Sequence, residues 1–95
     1  MNIVTNPSVR PECLRPADDG WEPPTPAEVR AIIAEAGLTG SGVARFLGIS
    51  SKGSRVIRRW AGGEDRIPYS AWALLCDKAG YRRIWERQTG QDFSG

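Results

Sequence analysis

The sequence predicts an all-α domain of five short helices around one small core. Three observations lead there. Apolar residues recur at helical spacing in separate stretches between residues 25 and 88. Short connections marked by glycine or proline join those stretches. Nothing alternates with period two over a strand's length. With 95 residues, 40% apolar and 25% charged, the composition suits one soluble globular domain with one modest core. Four tryptophans give that core bulk.

Residues 1–24 form a proline-rich N-terminal arm. Pro7, Pro11, Pro16, Pro23 and Pro24 rule out a continuous helix there. Val4, Val9, Leu14 and Trp21 leave two options open. The arm hangs free, or it packs on the domain or on a second subunit. Residues 25–88 are the domain proper. Its first helix opens with Thr25 as N-cap, Pro26 at the first helical position and Glu28 at the third, a capping box. Val29, Ile32, Ile33 and Ala36 follow on one face, and Gly37 stops the helix. The second helix runs from a Thr39 N-cap to about Leu47, with Val43, Ala44 and Leu47 inward. Gly48 ends it in a left-handed conformation. Ala44 is small enough for the next helix to cross closely.

A third helix spans about 54–60. Val56, Ile57 and Trp60 turn inward, and Arg55, Arg58 and Arg59 turn outward. Pro68 sits at the start of a fourth helix, where Ala71, Trp72, Leu75, Cys76 and Ala79 keep helical spacing until Gly80. Tyr81 to Gln88 is the fifth, with Tyr81, Ile84 and Trp85 on its apolar side. Residues 89–95 are a frayed C-terminal tail.

Charge separates one segment from the rest. Residues 51–60, SKGSRVIRRW, carry four Lys/Arg and no Asp/Glu, whereas the whole chain nets only +2. A basic stripe concentrated on one helix is an electrostatic footprint for phosphate. Several chemistries are excluded or disfavoured. The chain has no histidine, so Ser–His and Cys–His nucleophilic arrangements are absent. Cys13 and Cys76 lack metal-ligand spacing and are expected as free thiols in a reducing cytoplasm, with no metal and no cofactor. The glycines match no phosphate-cradling loop, and the acidic residues fall in turn-like places such as Asp18-Asp19 and Glu64-Asp65. The sequence therefore argues against an enzyme. No apolar run is long enough to cross a membrane, and the first residues do not read as a secretory signal.

The stretch LTGSGVARFLGIS followed by VIRRW resembles the helix-turn-helix of the lambda-repressor/Cro-like (XRE-type) regulators of bacteria, phages and plasmids. Leu38-Thr39, Ala44, Leu47-Gly48-Ile49-Ser50, Ile57 and Trp60 carry the resemblance, which covers about residues 26–80. This chain has about three residues more than the usual pattern between Ser50 and Ile57, through Ser51-Lys52-Gly53. The resemblance implies a lambda-repressor-like DNA-binding domain whose third helix enters the major groove. On that expectation Ser54, Arg55 and Arg58 read base edges, with Arg55 placed for a bidentate contact to guanine. Thr39, Ser41, Ser51, Lys52, Gly53, Arg59 and Arg66 contact phosphate. Arg59 has a second option, pairing with Glu64 or Asp65.

The function expected is a sequence-specific double-stranded DNA-binding transcriptional repressor. It acts by occupying an operator, in the cytoplasm and on the nucleoid, with no small-molecule substrate. A homodimer would set two recognition helices about 34 Å apart on a palindromic site. Tyr81, Ile84 and Trp85 are the candidate dimerisation residues. The alternative is a protein-interaction module, antitoxin-like or adaptor, on the same scaffold. An exposed apolar patch and a dispensable basic helix would mark it.

Overall fold

Glu28 sets the first helix and closes the N-terminal segment onto it. In the computed structural model, which describes residues 9–49 and 53–86, the Thr25 hydroxyl accepts from the Glu28 amide at 3.2 Å. The Glu28 carboxylate in turn accepts from the Thr25 amide at 2.7 Å. The capping box read from the sequence is therefore formed, and α1 runs Pro26–Glu35. The same carboxylate, almost fully buried, also receives Arg10. The Arg10 amide and Nε reach Oε2 at 3.0 and 2.8 Å, and Nη2 reaches Oε1 at 3.0 Å. Burial alone would push the Glu28 carboxyl up. The hydrogen bonds from Arg10 and Thr25 outweigh it and hold the carboxyl at about 2.

Residues 9–24 are thereby part of the domain. A short 3-10 helix, Pro11–Leu14, buries Cys13, and Val9 joins the same core. Two tryptophan indoles donate to one carbonyl, that of Cys13: Trp72 at 2.7 Å and Trp21 at 3.1 Å. Both lone pairs of that oxygen are thus used. Trp21 also stands edge-on to Tyr69, ring centroids 5.0 Å apart, and the Tyr69 hydroxyl donates to the Arg15 carbonyl at 3.3 Å. Of the two options left open for the arm, packing on the domain holds from Val9 onward.

The other α-helices are α2 (Gly40–Leu47), α3 (Gly53–Gly62) and α4 (Tyr69–Lys78). Val29 and Ile32 of α1, Val43 and Ala44 of α2, Ile57 and Trp60 of α3, and Trp72, Leu75 and Cys76 of α4 meet in one cluster. Trp72 is the largest fully buried side chain. Both cysteines are free and buried, and burial pushes the Cys13 thiol up to about 11 and the Cys76 thiol to about 12. Among the described residues there is no strand, so the all-α expectation stands.

The count of five helices does not. Among the described residues there are four α-helices, and Tyr81–Glu86 is irregular backbone with bends and one turn. The physical reason lies at the end of α4. The Tyr81 amide is spent on the Cys76 carbonyl at 2.9 Å, and Arg82 has φ 131°, which no right-handed helix contains. So few residues also cannot offset the cost of nucleating a helix. Ile84 instead drops into the core as an isolated plug. Residues 87 and 88 of the expected helix, and the tail 89–95, lie outside the described residues. The third helix is longer than expected, starting at Gly53 and ending at Gly62.

Two outcomes follow. The folded value of Glu28 lies below its ordinary 4.5, so its ionised form stabilises the fold above about pH 4.5. That contribution disappears as pH falls toward 2. Thermal unfolding followed from pH 7 to pH 2 will show the midpoint dropping through this window. Glu28→Gln will lose about 2 kcal/mol at neutral pH and show a shallower acid limb. Gly53→Ala will destabilise by about 1–3 kcal/mol in denaturant titration. A Cβ at that position would collide with the Ile49 side chain and sit 3.1 Å from the Ala44 Cβ.

Candidate nucleic-acid interface

The helix pair α2–α3 is held together by small residues at its crossing. Ala44 is buried, and Gly53 at the start of α3 is pressed against Ala44 and Ile49. The turn between them begins with a double cap: the Ile49 amide donates to the Ala44 carbonyl at 2.8 Å and the Gly48 amide to the Arg45 carbonyl at 3.2 Å. This is a Schellman closure, and Gly48 supports it with φ 77°. At the other end of α2 the Thr39 hydroxyl oxygen accepts from the Gly42 amide at 3.0 Å.

The third helix has two faces. Ile57 and Trp60 are buried and Val56 is half-buried, so burial of these side chains fixes the helix in place. Arg55, Arg58 and Arg59 are exposed on the opposite side, and Ser54 is half-buried at the rim. No acidic residue lies on α3. Among the described residues Arg55 and Arg58 have no ion-pair partner. Arg59 does: its Nε donates to Asp65 Oδ2 at 2.7 Å, the second of its two options, and this contact raises its pKa further. The pair is solvent-exposed and screened, so it leaves Arg59 within reach of another anion.

The remaining expected contacts are placed as follows. Ser41 and Arg66 are exposed. Thr39 is exposed too, although its hydroxyl oxygen is occupied as the α2 cap. Gly53 is buried, and its lack of a side chain serves the packing on α2. Ser51 and Lys52 lie outside the described residues. Of the three candidate dimerisation residues, Tyr81 is half-buried, Ile84 is 1% exposed within the chain's own core, and Trp85 is 43% exposed. Burial and Glu35 push the Tyr81 hydroxyl well above its ordinary range. Trp85 forms a shallow apolar groove with Tyr69, Ser70, Ala73 and Leu74. Leu74 and Phe46 are the other large apolar side chains exposed among the described residues.

Sequence reasoning missed one contact to α3. Arg30, on α1, donates from Nη1 to the Ala61 carbonyl at 2.6 Å. The two residues are 31 positions apart, and no local pattern signals such a pairing. Among the described residues no cluster of His, Cys, Asp or Glu could hold a metal ion. No described helix is long and apolar enough to cross a membrane.

No protein-family model matches the chain, and no solved structure matches it significantly. Two curated relatives do. Both are named transcriptional repressor protein KorC, from Escherichia coli. One is 51% identical over 85 residues, covering 90% of this chain and 99% of the relative. The other is 49% identical over 84 residues, covering 88% and 98%. At this identity, over nearly the full length of both proteins, the chain belongs to the family of the transcriptional repressor protein KorC.

Proposed function

We propose that this protein is a transcriptional repressor that reads double-stranded DNA sequence-specifically with α3 in the major groove, in the manner of a lambda-repressor/Cro-like helix-turn-helix. The observation that carries this reading is the outward face of α3. Arg55 and Arg58 are exposed and unpaired among the described residues, on a helix anchored by buried Ile57 and Trp60. Cations left unpaired on a fixed helix are available to an external anion. Membership of a family named for repression agrees with it. Arg55, nearest the N-terminal end of the helix, reads a guanine, and Arg58, one turn on, reads a second base or a phosphate. Ser54, earlier on the same helix, reads a base edge in this proposal. Ser41, Arg66 and, through its hydroxyl proton, Thr39 contact the backbone. Arg59 does so in exchange for Asp65. The protein acts in the cytoplasm, on the nucleoid, and needs no cofactor.

One such helix seldom binds tightly enough alone, and the reading includes a homodimer on a palindromic operator. Trp85 and Leu74, 43% and 42% exposed around the groove, are the surface we assign to it. A protein-interaction module is the second reading, and this same apolar groove is the observation that favours it.

Selection from a library of random duplexes at moderate salt separates the readings. Wild type will enrich a palindrome with half-sites about one helical turn apart. Arg55→Ala will lose preference at one position per half-site, about 1–3 kcal/mol or roughly 5- to 150-fold in discrimination. Loss spread evenly over all sequences would make Arg55 a phosphate contact. Enrichment of nothing, with only weak salt-sensitive binding, would sink the operator reading and leave the interaction module. In sedimentation, Trp85→Glu will shift the dimer to monomer and reduce the selected site to one half.

A further inference from the structure

The C-terminal end of α3 is tied to α1 at two points. Arg30 reaches the Ala61 carbonyl at 2.6 Å. Beyond it, Gly63 has φ 84°, and a Cβ there would sit 2.8 Å from the Pro26 Cγ, so the loop after α3 closes directly on the first turn of α1. The neighbouring late carbonyls of α3 are satisfied from within that loop. The Arg59 carbonyl accepts from the amides of Glu64 at 2.9 Å and Asp65 at 3.3 Å, and the Trp60 carbonyl accepts from Gly63 at 3.3 Å. The Ala61 carbonyl takes its donor from a side chain of another helix. A guanidinium suits this place: the bond is charge-assisted, and the cation offsets the negative end of the helix dipole. Among the described residues Arg30 has no acidic partner that would draw it away.

We infer that Arg30 is a positioning residue for DNA reading: by holding the Ala61 carbonyl it fixes the C-terminal end of α3 to α1 and so sets the angle at which Arg55 and Arg58 meet the groove. The inference rests on the reading of α3 as the recognition helix. It assigns Arg30 no contact with DNA. A helix of ten residues is a lever about 15 Å long. Base-edge hydrogen bonds tolerate only a few tenths of an ångström. Freedom at the tied end becomes misalignment at the reading end.

The test uses the duplex that wild type enriches and a scrambled duplex of the same length. Both are titrated over a salt series with wild type, Arg30→Ala and Arg30→Lys, at a temperature where circular dichroism shows each variant folded. Arg30→Ala will bind the enriched duplex about tenfold more weakly, the equivalent of weakening one bidentate base contact. It will bind the scrambled duplex as wild type does, with an unchanged salt slope. Arg30→Lys, which keeps a donor, will recover part of the loss. Equal loss on both duplexes, with the slope reduced by about one, would make Arg30 a phosphate contact and overturn the inference. Unchanged affinity for both would overturn it too. A readout without DNA runs alongside. Arg30→Ala will speed hydrogen exchange at the amides of Gly63 and Glu64 while leaving Gly48 and Ile49 unchanged, and no difference in exchange would remove the tether. If wild type enriches no duplex, the functional reading itself falls and this role with it. The other failures all presuppose a selective wild type.

Discussion

The buried carboxylate of Glu28 is the interaction on which the rest of the structure depends. A charge in a nearly dry site is costly unless every lone pair is met. Here the Thr25 amide, the Arg10 amide and the Arg10 guanidinium meet them at 2.7–3.0 Å. One residue thereby starts α1 and fastens the chain that precedes it. The fastening matters because the Cys13 carbonyl then faces Trp21 and Trp72, and Trp72 is the largest fully buried side chain of the core. α1, placed in this way, carries the two groups that hold the end of α3, Pro26 and Arg30. The path from Glu28 to the basic face of α3 runs through the buried carboxylate, α1 and the exposed Arg30 contact at the end of α3.

Among the described residues two of the three arginines of α3, Arg55 and Arg58, are without an ion-pair partner. The helix is held by buried Ile57 and Trp60, each contributing about 1.5–3 kcal/mol or more through burial. The ion pair on its outer face, Arg59 with Asp65, is open to solvent and adds little to that anchoring. Burial of the inward side chains, and not the exposed arginines, supplies the main anchoring of the helix. Arg55 and Arg58 carry like charge on a helix with no acidic residue of its own, and an external anion would relieve that repulsion.

What was legible in the sequence was local. The Thr25–Glu28 capping box, the Thr39 cap, the Gly37, Gly48 and Gly80 stops and the inward stripes of four helices all depend on residues within a turn or two of each other. The Arg10–Glu28 contact spans 18 positions, Arg30–Ala61 spans 31 and Trp72–Cys13 spans 59. No spacing rule reaches that far. Glu28 was visible as a cap and invisible as a buried ion-pair partner, because the first role needs only its neighbours. Among the described residues 9–24 the prolines leave only a short 3-10 helix, yet they could not say that Cys13 would be buried. Tyr81, Ile84 and Trp85 failed as a helix for a related reason. Apolar residues at spacing three and four fit a helix stripe, but equally fit one residue plugging a core between turns. The left-handed stop before them and the φ of Arg82 decided for the plug. On α3 the inward and outward faces were legible from periodicity, whereas what holds each end was not.

Those two ends are governed by different physics. At the N-terminal end the constraint is steric: the absence of a side chain at Gly53 lets α3 lie against Ile49 and Ala44, and any added atom forces it outward. At the C-terminal end it is largely a polar tether, Arg30 on the Ala61 carbonyl, in an exposed place where water competes for both partners. A steric stop sets distance firmly but leaves rotation about itself. A directional hydrogen bond at the far end restrains rotation but yields more easily. Together they fix both the depth and the pitch of a ten-residue helix. Arg55 and Arg58 lie between those two restraints. The register of their guanidinium groups is therefore controlled by residues that are not on the basic face at all.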